Sequence, residues 1–167
     1  MPELAITVIG PDRTGIVADV AEALAAVGAN LTDSTMTRLR GHFTMTLICT
    51  GPPAADAERA LVRLGAELLT TVREVEACPD RETGEPYLVS VHGADRLGIV
   101  AAVTRVVAAA GGNITDLTTR LTGPLYLLVA EVDLPPGREG ELAEQLAVAA
   151  AELGVEVTLR HAESELL

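Results

Sequence analysis

The sequence predicts an α+β fold: two βαββαβ units in one chain, each an antiparallel sheet with its helices on one face. Three observations predict it. A 24-residue stretch recurs half a chain later. Short runs with apolar alternation flank stripes of helical period, in the same order both times. Gly and Pro break these runs at matching places.

The repeat sets the frame. At a shift of 83, Gly10–Asp33 and Gly93–Asp116 share 14 of 24 residues, "GPDRTGIVADV" answering "GADRLGIVAAV". Past a one-residue deletion the match is expected to run on at a shift of 82, with "RLRGHF" (38–43) facing "RLTGPL" (120–125). "PP" at 52–53 faces "PP" at 135–136. Half a chain is too long for a solenoid repeat, so this reads as two copies of one domain. The expected boundaries are 1–78 for the first domain and 87–161 for the second. Between them "PDRETGEP" (79–86) is a polar linker with Pro at both ends, and 162–167 is a tail.

Each element follows in order. Leu4, Ile6 and Val8 alternate with Ala5 and Thr7, as a strand requires, and Tyr87, Val89 and Val91 repeat this. A helix is expected from about Arg13 to Val27, with Ile16, Val17, Val20, Leu24 and Val27 as its stripe and Gly28 as its stop. The copy has Ile99, Val100, Val103, Val107 and Ala110, then Gly111. "NLTDSTMTRL" reads as a Thr-rich strand, Arg40-Gly41 as a hairpin turn and "HFTMTLICT" as the returning strand. Pro53 is expected at the first position of a second helix, facing inward through Leu61, Leu64 and Leu68. Leu142, Leu146 and Leu153 do so in the copy. "VREVEA" (72–77) and "VEVTLRH" (155–161) close the units as strands.

This order is the split-βαβ, ferredoxin-like plan. Right-handed crossovers put the first and third strands at the centre and leave the second and fourth as edges. Exposed edges invite pairing, so two units could join edge to edge, within the chain or in a homodimer.

Composition narrows the function. The chain of 167 residues is 49% hydrophobic and 22% charged, enough for packed cores. With aromatics at 2%, those cores must be aliphatic. A net charge of −12 repels phosphate backbones and anionic membranes, and no basic patch offsets it. Neither direct nucleic-acid contact nor membrane binding is expected. Cys49 and Cys78 form no CxxC and read as free thiols in strands. "MPELAITVIG" lacks a basic leader, and no apolar run reaches the ~20 residues of a spanning helix, so the expected location is cytoplasmic.

The repeated turn is the candidate site. Asp12 and Asp95 are the only good helix caps that both copies share. Arg13 and Arg96 would then open the helices, where a cation opposes the dipole. A neighbouring acid or an anionic ligand would explain them. Gly15 and Gly98 inside a first turn would each cost about 1 kcal/mol against Ala, which suggests that something approaches the backbone there. Free amides at a helix start suit a carboxylate. Asn30 and Asn113 can be turn residues, or can present an amide at the mouth of an edge strand.

"GPDRTGIVADVAEALAAVGANLTDS" and "GADRLGIVAAVTRVVAAAGGNITDL" resemble ACT domains, the small-molecule-sensing modules of amino-acid metabolism. The resemblance covers nearly the whole chain. A tandem pair without a catalytic domain is most similar to the glycine cleavage system transcriptional repressor group. The turn also resembles the ACT segment of formyltetrahydrofolate deformylases, whose hydrolase domain has no match here. The resemblance implies a small amino acid bound where one unit's turn meets a neighbouring unit. It places Asp12, Arg13, Thr14, Gly15 and Ile16 in one site, with Asn30 nearby. Asp95, Arg96, Leu97, Gly98 and Ile99 make the second, with Asn113. It also implies a regulator or enzyme as protein partner, and transcriptional control of amino-acid metabolism exerted through it. The copies differ: Thr14 becomes Leu97, Pro11 becomes Ala94 and Ile9 becomes His92. One working site, or two with different ligands, is the expectation.

Other classes fit less well. His42, His92 and His161 are scattered, and no HExxH, CxxC, GxSxG or Walker pattern occurs, so no catalytic residues, cofactor or metal are expected. The serious rival is a ligand-free scaffold of ACT folds that binds proteins through its strand edges.

Overall fold

The computed structural model describes residues 2–79 and 84–162. Most of the expected linker and tail, 80–83 and 163–167, lies outside the described residues. The chain divides into two units between Pro79 and Asp80.

The first unit runs β1 (Glu3–Pro11), α1 (Ile16–Ala26), β2 (Asn30–Leu39), β3 (His42–Thr50), α2 (Ala54–Val62) and β4 (Leu69–Val75). The second runs β5 (Glu85–Ala94), α3 (Ile99–Ala109), β6 (Asn113–Thr122), β7 (Leu125–Leu134), α4 (Glu139–Leu153) and β8 (Glu156–His161). Each has its own four-stranded sheet, ordered β2-β3-β1-β4 and β6-β7-β5-β8, with every pairing antiparallel. The first and third strands are central, as the crossover rule requires.

Strand alternation decides what is buried. Leu4, Ile6 and Val8 point into the first core with Phe43, Met45, Leu47 and Cys49. Ile16, Val20 and Leu24 meet them from α1, and Leu61 and Leu68 from α2 and the turn after it. The second core repeats this with Val89, Val91, Leu128, Ala130 and Val132 under Ile99, Val103, Val107, Leu142 and Leu146. Val17 and Val100, expected on the helix stripes, are exposed. Both first helices close on a Schellman bond pattern around a left-handed glycine. Gly28 N–H donates to Ala25 O and Ala29 N–H to Leu24 O. Gly111 and Gly112 repeat these bonds to Ala108 and Val107.

Several expectations shift. The repeat stays at 83 through the hairpins: Leu39 pairs His42 and Thr122 pairs Leu125, so Arg40-Gly41 corresponds to Gly123-Pro124. A shift of 82 would turn every side chain of the third strand to the other sheet face, exposing its apolar set. Pro53 is the cap of α2, with its extended ψ of 149°, and not the first helical residue. Leu64 and Leu68 lie beyond the end of α2. β4 spans 69–75 instead of 72–77, so Cys78 is exposed past its end, while Cys49 is buried in β3. β5 starts at Glu85, within the segment read as linker.

The second strand of each unit carries a bulge at the same place. The β2–β3 register slips between Leu31 and Asp33, and the β6–β7 register between Ile114 and Asp116. The residue left over is Thr32 or Thr115, whose hydroxyl donates across to Ile48 O at 3.3 Å or Glu131 O at 3.4 Å. The bulge brings Asp33 and Asp116 onto the sheet face away from the helices, each opposite a residue of that face.

Candidate functional site

The turn after the first strand is where the two units can be compared residue by residue. Neither Asp12 nor Asp95 caps a helix. The caps are Gly15 and Gly98, in left-handed backbone at φ 82° and 88°, and neither helix has a side-chain cap bond. The chain therefore needs three more residues of turn before the helix begins. Arg13 and Arg96 sit in that turn and not on the helix. A Cβ on Gly15 or Gly98 would meet nothing within 4 Å. Backbone sign, not crowding, requires these glycines.

The two turns differ in how their polar groups are used. In the first unit Asp12 N–H donates to Gly41 O at 3.0 Å, and Ile16 N–H to Arg13 O at 3.3 Å. Arg13 Nη2 is 2.7 Å from Asp19 Oδ2, in the first turn of α1. Arg38 of β2 reaches Asp12 at 3.7 Å. At the same shift of 83, Asp19 becomes Ala102 and Arg38 becomes Leu121. Among the described residues, Asp95 and Arg96 have no ion-pair partner, and Asp95 N–H has no counterpart of the Asp12–Gly41 bond. Arg96 instead lies by Gly154, the left-handed C-cap of α4, where a Cβ would stand 3.4 Å from its Nη2. A helix C-terminus is a favourable place for a cation.

The second turn also borders an open depression of about 500 Å³, lined by Asp95 through Ala101 and by Tyr126. Leu97 at its rim is fully exposed. Tyr126 is half-buried, whereas its counterpart Phe43 is 0% exposed. His92, in place of Ile9, pairs through Nε2 with Glu156 Oε2 at 2.7 Å, and the two are opposite each other in the β5–β8 ladder. Ile9 faces the exposed Leu69 in the first unit.

Asn30 and Asn113 are not brought to the turn of their own unit. Asn30 opens β2, where Leu31 is level with Cys49 and so with Leu4, while Pro11 is level with His42 and Leu39. At about 3.3 Å per residue, Asn30 stands roughly 25 Å along the sheet from the turn that ends β1. The second unit repeats this: Asn113 pairs Asp133, near the start of β5.

Residues 3–77 and 85–160 each match the ACT domain family. This chain belongs to the ACT domain family. Its two ACT units align with curated relatives of different kinds. It is 41% identical over 76 residues to a UPF0237 protein of Methanopyrus kandleri, covering 44% of this chain and 84% of that protein. It is 31% identical over 121 residues to the glycine cleavage system transcriptional repressor of Escherichia coli, covering 70% of this chain and 64% of that protein. The phosphoserine phosphatase SerB2 of Mycobacterium tuberculosis is 29% identical over 161 residues, 92% of this chain but 39% of the enzyme. Among solved structures, an unknown protein from Galdieria sulphuraria superposes with a TM-score of 0.83 at 29% identity, over 97% of this chain and 99% of that one. Among the described residues no helix is long and apolar enough to cross a membrane, and no His, Cys, Asp and Glu cluster could hold a metal.

Proposed function

We propose that this tandem ACT protein is a non-catalytic regulator, which senses a small amino acid and passes the signal to a regulator or enzyme, as a homodimer in the cytoplasm. The observation that carries the reading is the unequal use of one turn. In the first ACT unit the turn's charges are held by Asp19 and Arg38. In the second, Asp95 and Arg96 have no ion-pair partner among the described residues, Arg96 lies at the end of α4, and the turn borders a depression of about 500 Å³.

The second turn is therefore the sensing site in this reading. Arg96 and the amides at the start of α3 take the carboxylate, and Asp95 takes the ammonium. Leu97, Val100 and Tyr126 offer apolar contact to a short side chain. A ligand at the first turn must displace Asp19 from Arg13 and Arg38 from Asp12. Two exposed ion pairs cost up to roughly 2 kcal/mol together, about 30-fold in affinity. Asn30 and Asn113, far from their own turns, can join a ligand only from a neighbouring unit.

A thermal-shift screen of the full chain against the common amino acids tests sensing. A rise in melting temperature with one of them supports it. No shift with any favours the ligand-free scaffold. Calorimetry on Arg13→Ala and Arg96→Ala then assigns the site.

A further inference from the structure

We infer that the open sheet face of the second unit is the self-association surface of the homodimer proposed above, on which this inference rests, with a second copy of this chain stacking the same face. The antiparallel register defines that face. Arg160 of β8 is level with Leu88, Glu131 and, on the far edge, Asp116 of β6. Four residues along, Glu156 is level with His92, Leu127 and Arg120. All four corner residues are exposed. Going round the face, the corners read Arg160, Asp116, Arg120, Glu156, so charge alternates in sign at every step.

That pattern is self-complementary. Turning a face over onto its copy takes a two-fold axis in its plane. An axis along the strands sets Arg160 on Asp116 of the second copy, and Glu156 on its Arg120. An axis across the strands sets Arg160 on Glu156 and Asp116 on Arg120. Either way four opposite-sign contacts form, and no like charges meet at the corners. Glu131 stands one strand in from Asp116, diagonal to an Arg of the second copy in either case. Glu156 already pairs with His92, so the complex extends an existing contact.

What lies between the corners needs cover. Leu127 is 41% exposed, with Val129 and Leu88 half-buried and Ser90, Thr118 and Thr158 in the row between; Leu125, 49% exposed, extends the apolar strip past the Arg120 corner. Paired sheets of this kind pack about 10 Å apart with strands nearly aligned. The first unit lacks the pattern: its corners are Arg73, Asp33, Thr37 and Leu69, only two of them charged. The surface belongs to the second unit.

Sedimentation equilibrium of the full chain at low salt tests this, with circular dichroism confirming that each variant is folded. The wild type should be dimeric. Arg160→Glu should weaken the dimer by at least roughly tenfold, since like charges then face each other twice. One double variant should restore it: R160E/D116R for an axis along the strands, R160E/E156R for an axis across them. A monomeric wild type would overturn the homodimer of the proposed function together with this surface; a dimer unaffected by Arg160→Glu, or recovered in neither double variant, would overturn this surface alone.

Discussion

The two ACT units share strand order, helix starts and even the position of a β-bulge, yet they wire one turn differently. Arg13 is held by Asp19 and Asp12 by Arg38. Arg96 rests at the end of α4, and Asp95 has no such partner among the described residues. Backbone is thus the conserved part of the duplication within this chain, and side-chain electrostatics is the part that has diverged. A cap geometry can be inherited whole while two substitutions, Asp19 against Ala102 and Arg38 against Leu121, change what the turn has left to offer.

The largest expected difference between the units lies in packing. Phe43 is 0% exposed among Leu, Met and Ile side chains, so Phe43→Ala should cost about 3–5 kcal/mol. Tyr126→Ala, at the half-buried counterpart, should cost less than half of that. Urea unfolding of the two variants checks it. Equal losses would mean that the depression beside Tyr126 is packed in solution.

A smaller effect should be the same in both units. Gly15→Ala and Gly98→Ala each force a left-handed Cβ without a clash, a cost of about 1–2 kcal/mol. A much larger loss at one of them, again by urea unfolding, would reveal a contact over that glycine. Asp19→Ala removes one exposed ion pair and should lower stability by under about 1 kcal/mol. Its sharper effect should be on binding, since it frees Arg13. The first unit of this variant should gain affinity for an amino acid by calorimetry.

The two thiols give the smallest signal. Burial raises the pKa of Cys49, so its reactive thiolate is scarce at neutral pH, while Cys78 is exposed. Alkylation at neutral pH should label Cys78 first, and Cys49 only on unfolding.

Much of this was legible in the residues, for identifiable reasons. Period-two alternation at Leu4, Ile6 and Val8 fixed the core face, and Gly28 marked a helix end. The helix start was not legible. Asp12 is a good cap by residue type, but the left-handed Gly15 delays the helix by three residues. Nor was the hairpin register, because "RLRGHF" and "RLTGPL" look alike one residue out of step. The resemblance to ACT domains put Asn30 near the turn, and the register shows it at the far end of its own sheet. The pairing of Arg38 with Asp12 spans 26 positions. Its trace was the loss of Arg at 121, visible only with the units aligned at 83.

The most direct test of the sensing claim is calorimetric titration of the wild type, Arg13→Ala and Arg96→Ala with the amino acid that most raises the melting temperature. Arg96→Ala should abolish the heat of binding, and Arg13→Ala should bind as the wild type does. Loss on Arg13→Ala with binding kept in Arg96→Ala, or equal loss in both, would contradict it.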